Sequence, residues 1–528
     1  MGNKKFSSFL GVAASATTLV LILQSTSSLA YDFTLGDDIQ GKIGSTIAYG
    51  TGWRVGNPDP NLMAATNGGN QNYDAWSNYT SRITGTHEVS LNWKDGGFFS
   101  RVTYFYDSRA DAKSPIIYDG TGRAIVDPRW VDQESIAKLS LLDFFVYQNV
   151  GPANVRLGKQ VISWGESTFI GNNLNDINSV DVAKTRVPGV ELKQALLPTK
   201  SVRVQWNLTD NVSLDSFYLF SFDNIKLDPA GSFFNTGTFI ADGGVLLGPL
   251  YRGGERKAKN SGQYGLALRY VAAELGEGVE FGAYYMNLHS HVPALSAVRG
   301  TPYGTARYFL DYAEDIKLLG ASFNTRIGSL AVSGEWSHRN GAPVQLAGFL
   351  QAALGAPSQL TPSGPVAVGA IIKGYDRINI DQIQVTAQKS WATSQFLKYD
   401  KADLIFEAGV THNSKMPALL TNSVLNSMAW GYQVKYSAEY DGAIANIINL
   451  IPNIAVRHDV HGTAGPFLDG AKAVTVGVDF QYQNNWTGGV SFTRNFDGPY
   501  DYTAGLAQSN LRGDRDRNFL AANIAYQF

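Results

Sequence analysis

From Leu520 to Phe528, apolar or aromatic side chains occupy every second position: Leu520, Ala522, Ile524, Tyr526 and Phe528. Ala521, Asn523, Ala525 and Gln527 lie between them. Successive side chains of a strand point to opposite faces. The segment therefore predicts a strand with one apolar face, placed where a soluble chain rarely has one.

Such a strand resembles the closing strand of a bacterial outer-membrane barrel. Tyr526 and Phe528 are then the terminal aromatic signal that barrel assembly machinery reads. The other end of the chain agrees. Lys4 and Lys5 precede the apolar run Phe6 to Leu23, and Ser28-Leu29-Ala30 follows. A basic start, an apolar centre and a small-x-small site predict a secretory signal peptide over 1–30. The mature chain, 31–528, then begins near Tyr31. No later run of about 20 apolar residues exists, so no spanning helix is expected. A closed barrel is the other fold that satisfies every backbone group in lipid. Aromatic residues make up 12% of the chain, as such a wall requires. The absence of Cys excludes a lipid anchor, disulfides and thiolate metal sites. The formal charge is −2, which suggests neither a nucleic-acid partner nor a disordered tail.

The alternation recurs about eighteen times. Apolar faces include Val89, Leu91 and Trp93; Tyr264, Leu266, Leu268 and Tyr270; and Val474, Val476, Val478, Phe480 and Tyr482. Short connections carry hairpin residues: Asp95-Gly96-Gly97, Thr209-Asp210-Asn211, Ile327-Gly328-Ser329, Asp441-Gly442-Ala443 and Asn484-Asn485. Between them fall long ones: 108–137, 163–200, 224–262, 289–315 and 339–376. The expected fold is all-β: an antiparallel up-and-down transmembrane barrel with short periplasmic turns and long extracellular loops. It is integral to the Gram-negative outer membrane, among lipids and lipopolysaccharide. A propeller would need a repeat of about 40–50 residues, and none is present.

The opposite face of the strands faces the lumen, since Lys or Arg facing lipid at mid-depth costs about 2–4 kcal/mol. It carries Arg101, Arg156, Arg203, Arg269, Lys435 and Arg457 against Glu280, Glu335, Glu407, Glu439 and Asp479. The balance of sign predicts no strong ion selectivity. The segment 163–200 lacks a strand period, and Val180–Lys184 and Val190–Leu197 read as short helices. It is expected to fold into the lumen as a constriction shaped by Arg156, Trp164, Glu166, Arg186 and Lys193. The Ala-, Gly- and Pro-rich loop 347–370 reads as an extracellular flap or a surface for apolar solutes.

Several stretches resemble one family. They are Val155-Arg156-Leu157-Gly158-Lys159-Gln160, Ser163-Trp164-Gly165-Glu166-Ser167-Thr168-Phe169 and Pro188-Gly189-Val190-Glu191-Leu192-Lys193. Tyr284 to Ser290, Glu314-Asp315-Ile316, Arg457 to Gly462, Gly470 to Ala473 and Asp514 to Phe519 belong with them. Together they resemble a domain-of-unknown-function family of outer-membrane barrels from pseudomonads and related bacteria, over essentially the whole mature chain. The resemblance implies a periplasmic lipoprotein and an inner-membrane exporter as partners. It also implies a hydrophobic or amphipathic small molecule as the solute. The alternatives are a general aqueous porin and a barrel-anchored surface-binding or adhesion protein.

Nothing points to catalysis or a cofactor. The seven His residues read as an extracellular rim rather than a metal site. Asn172 to Asp181 lacks the Gly and Glu spacing of a calcium loop. Arg512-Gly513-Asp514 is a short motif that chance supplies. No spacing places a nucleophile beside a base.

Overall fold

The computed structural model describes residues 31–62, 68–112, 136–300, 305–346, 348–358, 360–414, 416, 425–498 and 514–528. The signal-peptide segment 1–30, most of the loop 108–137 and Arg512-Gly513 lie outside them. Eighteen antiparallel strands close a barrel. They are β1 (Ile39–Arg54), β2 (Asn78–Trp93), β3 (Gly96–Asp107), β4 (Ala137–Val150), β5 (Ala153–Gln160) and β6 (Thr199–Asn207). Next come β7 (Val212–Leu219), β8 (Gln263–Ala272), β9 (Val279–Leu288), β10 (Ile316–Ile327), β11 (Leu330–Gln345) and β12 (Tyr375–Ala392). The last are β13 (Lys401–Ser414), β14 (Met428–Ile444), β15 (Ile448–His461), β16 (Lys472–Tyr482), β17 (Trp486–Phe496) and β18 (Phe519–Gln527). Each strand pairs with the next, and β18 closes on β1 from Arg54↔Phe519 to Thr46↔Gln527.

A short strand, Tyr31–Leu35, was not foreseen. It pairs with Ile39–Ile43 of β1, on the same edge that β18 occupies higher up. Where the two meet, the Phe528 amide donates to the Ser45 carbonyl at 2.9 Å, and the Ser45 amide donates to the Phe528 carbonyl at 2.7 Å. The Phe528 ring stacks on Tyr526, with centroids 5.6 Å apart. The chain end is thus part of the ladder, not a tail. Removing Phe528 is expected to lower the fraction of chain that folds. The check is the heat-modifiable band on a cold denaturing gel, and an unchanged band would contradict it.

Outward side chains are exposed and apolar. Leu266, Leu268, Ile383, Val385, Val476, Val478 and Val490 form an aliphatic band. Trp206, Tyr270, Trp391, Trp486 and Phe528 edge it on the short-turn side, and Tyr49, Tyr106, Tyr264, Trp336 and Trp430 on the other. An aliphatic belt between two aromatic girdles is stable only in lipid. The chain is an outer-membrane barrel with its short turns periplasmic.

Several boundaries differ from the sequence reading. The turn expected at Asp441-Gly442-Ala443 lies at Ala445-Asn446, both with positive φ (54° and 59°), the requirement of a type I′ hairpin. β11 runs to Gln345 rather than stopping near Arg339. A bulge between Asn340 and Ala342 admits Gly341 at φ 82° and shifts the alternation by one, which hides the strand's end. The flap expected over 347–370 is partly a packed element. Phe349–Ala353 is a helix that buries Phe349 and Leu350 against Leu247, Leu295, Tyr308 and Ile372. These belong to a small extracellular sheet built from Leu246–Leu247, Leu250–Arg252, Ala294–Val298, Arg307–Asp311 and Ile371–Ile372. His87 is not on the extracellular rim. It sits well down β2, beside Ser45 (2.9 Å), at the level of Phe528.

Candidate functional site: the loop 161–198 across the lumen

Loop 161–198 leaves β5 and turns inward. Its first half, 161–178, has no regular structure. Its backbone amides therefore need acceptors elsewhere, or burying them would be costly. The barrel wall supplies two carboxylates. Glu407 of β13 accepts from Ser167 Oγ (2.6 Å) and from the amides of Thr168 (3.1 Å), Phe169 and Ile170 (3.4 Å). Glu335 of β11 accepts from the amides of Glu166 (2.6 Å) and Leu174 (3.0 Å). Both side chains are almost wholly buried. Further contacts extend the seam: Arg339 pairs with Asp176 at 2.6 Å, and Gln382 Nε2 donates to the Gly171 carbonyl at 2.7 Å. β13 stands eight strands from β5 in the circle of eighteen, so the loop reaches nearly the opposite wall.

An apolar contact holds the near side. Ile162, Trp164, Leu174 and Ile177 pack on Phe217, Ala267, Tyr284, Met286 and Leu318. The inner face of β7 to β10 is thus apolar where the loop lies on it, against the expectation of a polar wall throughout. Trp164 is 1% exposed, and its Nε1 donates to Asp215 at 2.9 Å. Its carbonyl accepts from Arg269 at 3.2 Å.

The second half of the loop returns along the other wall. Ser179–Val180 pairs with Leu196–Leu197 and closes a small subloop. Inside it, Val182–Thr185 and Leu192–Ala195 are helical, close to the segments expected. Asp181 caps the first by accepting from the Lys184 amide at 3.2 Å. Pro188 and Gly189 lie on β1 and β18. A side chain at Gly50 would collide with the Pro188 carbonyl, and a Cβ at Gly189 would lie 3.1 Å from Asn523. Gly50→Val is therefore expected to displace this turn, at a cost of about 1–3 kcal/mol in overpacking. Thermal unfolding followed by circular dichroism is the check, and an unshifted transition would contradict the contact.

The remaining singled-out residues have these positions. Arg101 bridges Glu88 (2.9 Å) and Asp143 (2.6 Å), and Lys193 reaches the same Glu88 at 2.9 Å. Arg203 grips Asp215 with two nitrogens (3.0 and 2.5 Å). Arg156 faces Arg203 across the strand pair and lies over the Phe145 ring at 5.7 Å. Arg269 pairs with Glu280 at 3.3 Å. Glu166 accepts from Asn324 at 2.8 Å. Arg457 holds Asp459 at 2.6 Å. Lys435 is buried, and Glu439 sits low on β14, opposite Lys401.

Arg186 binds Asp228 of loop 220–262 at 2.7 Å and so joins the two loops. Burial pushes the Asp228 carboxyl above its ordinary range, and Arg186 offsets part of that. Burial also raises Asp181, against Lys184 beside it. Loop 220–262 continues to the far rim. There Phe233 and Phe234 pack on Tyr73, Tyr79 and Phe519, and Arg54 and Arg517 both lie against Phe233.

A family model described as protein of unknown function, DUF1302, matches residues 11–528. The chain belongs to this family. No curated protein sequence matches it. Among solved structures it is similar to OccAB2 of Acinetobacter baumannii, at 11% identity and a TM-score of 0.44, covering 92% of this chain and 98% of that one. It is also similar to OpdK of Pseudomonas aeruginosa, solved with vanillate, at 8% identity and a TM-score of 0.43, covering 92% and 98%. OmpF of Salmonella typhi, in complex with daunomycin, gives 9% identity and a TM-score of 0.37, covering 94% and 100%. Likeness at this distance adds nothing to what the strands themselves establish for this DUF1302 member.

Three wall carboxylates escaped the sequence reading: Glu88, Asp143 and Asp215. Each answers an Arg on the same inner face. Glu88 was legible, because it stands directly opposite Arg101 once β2 and β3 are paired. Among the described residues, no group of His, Asp and Glu is placed to hold a metal ion.

Proposed function

We propose that this barrel is an outer-membrane channel for hydrophobic or amphipathic small molecules, constricted by loop 161–198. One observation carries the reading. The loop hydrogen-bonds to Glu335 and Glu407, packs on β7 to β10, and returns against β1 and β18. A barrel of eighteen strands otherwise leaves an aqueous lumen. Movement is passive or drawn by a periplasmic partner, since nothing in the chain suggests an energy source. The mature protein begins near Tyr31, and Tyr526 and Phe528 form its assembly signal.

The family resemblance supports this solute class, and the inner wall sets aromatic rings beside ion pairs, as where Arg156 lies over Phe145 and Arg203 grips Asp215, which suits a molecule with an apolar body and a polar end. The reading needs no catalytic group and no cofactor. Liposome swelling tests it against a general porin. Proteoliposomes should swell slowly in small sugars and amino acids, at rates near those of protein-free liposomes. Fast, size-graded swelling would establish an open aqueous pore instead.

A further inference from the structure

Of the five inward arginines that the sequence singles out, four are neutralised: Arg101 by Glu88 and Asp143, Arg203 by Asp215, Arg269 by Glu280 and Arg457 by Asp459. Arg156 is not. Its Nε donates to the side-chain carbonyl of Asn154 at 3.1 Å, and among the described residues no acceptor stands at its two terminal nitrogens. Asp215 cannot serve it, because that carboxylate is taken up by Arg203, Gln205 and Trp164. A charge removed from bulk water is ordinarily paired within the fold.

Aromatic rings hold Arg156 instead. Tyr147 stands directly opposite it on β4. The guanidinium carbon lies 6.0 Å from the centre of that ring and 5.7 Å from the centre of Phe145, within the range of a cation–π contact. Phe99 of β3 continues the strip, 5.6 Å from Phe145. Tyr147 is anchored through its hydroxyl, which donates to Asn92 at 2.7 Å. Phe144 and Val146 alternate with these rings and are exposed on the lipid side, so Phe145 and Tyr147 face the lumen. All three rings are half-buried, as is Arg156. Arg156 is the fourth residue of β5, just above a short turn. Loop 161–198 leaves the wall after Gln160, about 13 Å farther along the strand. The strip therefore lies on the periplasmic side of the constriction.

We infer that Arg156 and the rings of Phe99, Phe145 and Tyr147 form a docking station for an amphipathic monocarboxylate. The terminal guanidinium nitrogens take the carboxylate, whose two oxygens match their fork. The rings take the apolar body. A neutral or cationic end would leave the guanidinium unmatched. The station rests on the channel reading above and names the charge of the solute's polar end.

Planar-bilayer recording of the refolded mature barrel tests this with 2-naphthoate and its uncharged amide, 2-naphthamide, added to both chambers. Naphthoate should interrupt the current, and the amide should need a concentration roughly tenfold higher to do the same, having no charge to offer the guanidinium. Arg156→Gln should remove that preference and bring naphthoate to the level of the amide. Arg156→Lys, which keeps the charge but not the fork, should restore part of it. The heat-modifiable band shows that each variant is folded. Equal block by acid and amide in the unaltered barrel would overturn the station and leave the channel standing. So would an Arg156→Gln barrel that still prefers the acid, since the charge would then be recognised elsewhere. A current that neither compound alters would contradict the channel reading itself, and the station with it.

Discussion

Replacing residues 161–198 with a two-residue Asn-Gly turn is expected to raise single-channel conductance several-fold. The graft is geometrically simple, because Gln160 and Thr199 are already cross-strand partners and Asn-Gly supplies the positive φ that a hairpin needs. The loss would free the lumen along β7 to β13. It would also release loop 220–262, whose Asp228 would lose Arg186. Leu318, Met286 and Phe217 would then face water, so the variant should also be less stable. Planar-bilayer recording on the refolded variant gives the result. Unchanged conductance would mean that the lumen is blocked elsewhere, and loop 161–198 would have no gating role.

The second large effect belongs to the two carboxylates. Glu407→Ala leaves the amides of Thr168, Phe169 and Ile170 without their acceptor, while the Ser167 hydroxyl keeps the Ile170 carbonyl. Each buried orphan costs about 1–3 kcal/mol. Adding Glu335→Ala removes the acceptors of Glu166 and Leu174. The double variant should keep its barrel, because the strand ladders are untouched, yet lose the seam across the lumen. Its expected signature is a larger and noisier conductance, together with protease cleavage near Thr168 that the unaltered protein resists. Glu→Gln at both positions should fall between, since a neutral acceptor remains. A quiet, unchanged channel in the double Ala variant would sink the proposed role of these residues.

The architecture was legible because lipid imposes a strict rule on the chain. The two-residue period, the apolar outer parity and the alternation of short and long connections all follow from a closed barrel. Glu335 and Glu407 were recognisable as inward charges by the same parity. Their purpose was not, because a carboxylate bound to backbone amides of a distant loop leaves no complementary residue in sequence to find. Trp164 stood out only as part of a motif. Its burial depends on Phe217, Tyr284 and Asp215, brought together by two strands, β7 and β9, that are not neighbours. Gly341 shows the opposite failure: one inserted residue reverses the parity, and Ala342 to Gln345 cease to read as strand. The packed cap around Phe349 was missed because its partners come from three separate loops.

The most direct measurement of the central claim is single-channel conductance of the refolded mature protein in a planar bilayer, repeated with an apolar solute. A channel that loop 161–198 constricts should show a small conductance that the solute modulates. A large, steady conductance indifferent to the solute would contradict the account and mark the barrel as a general aqueous porin.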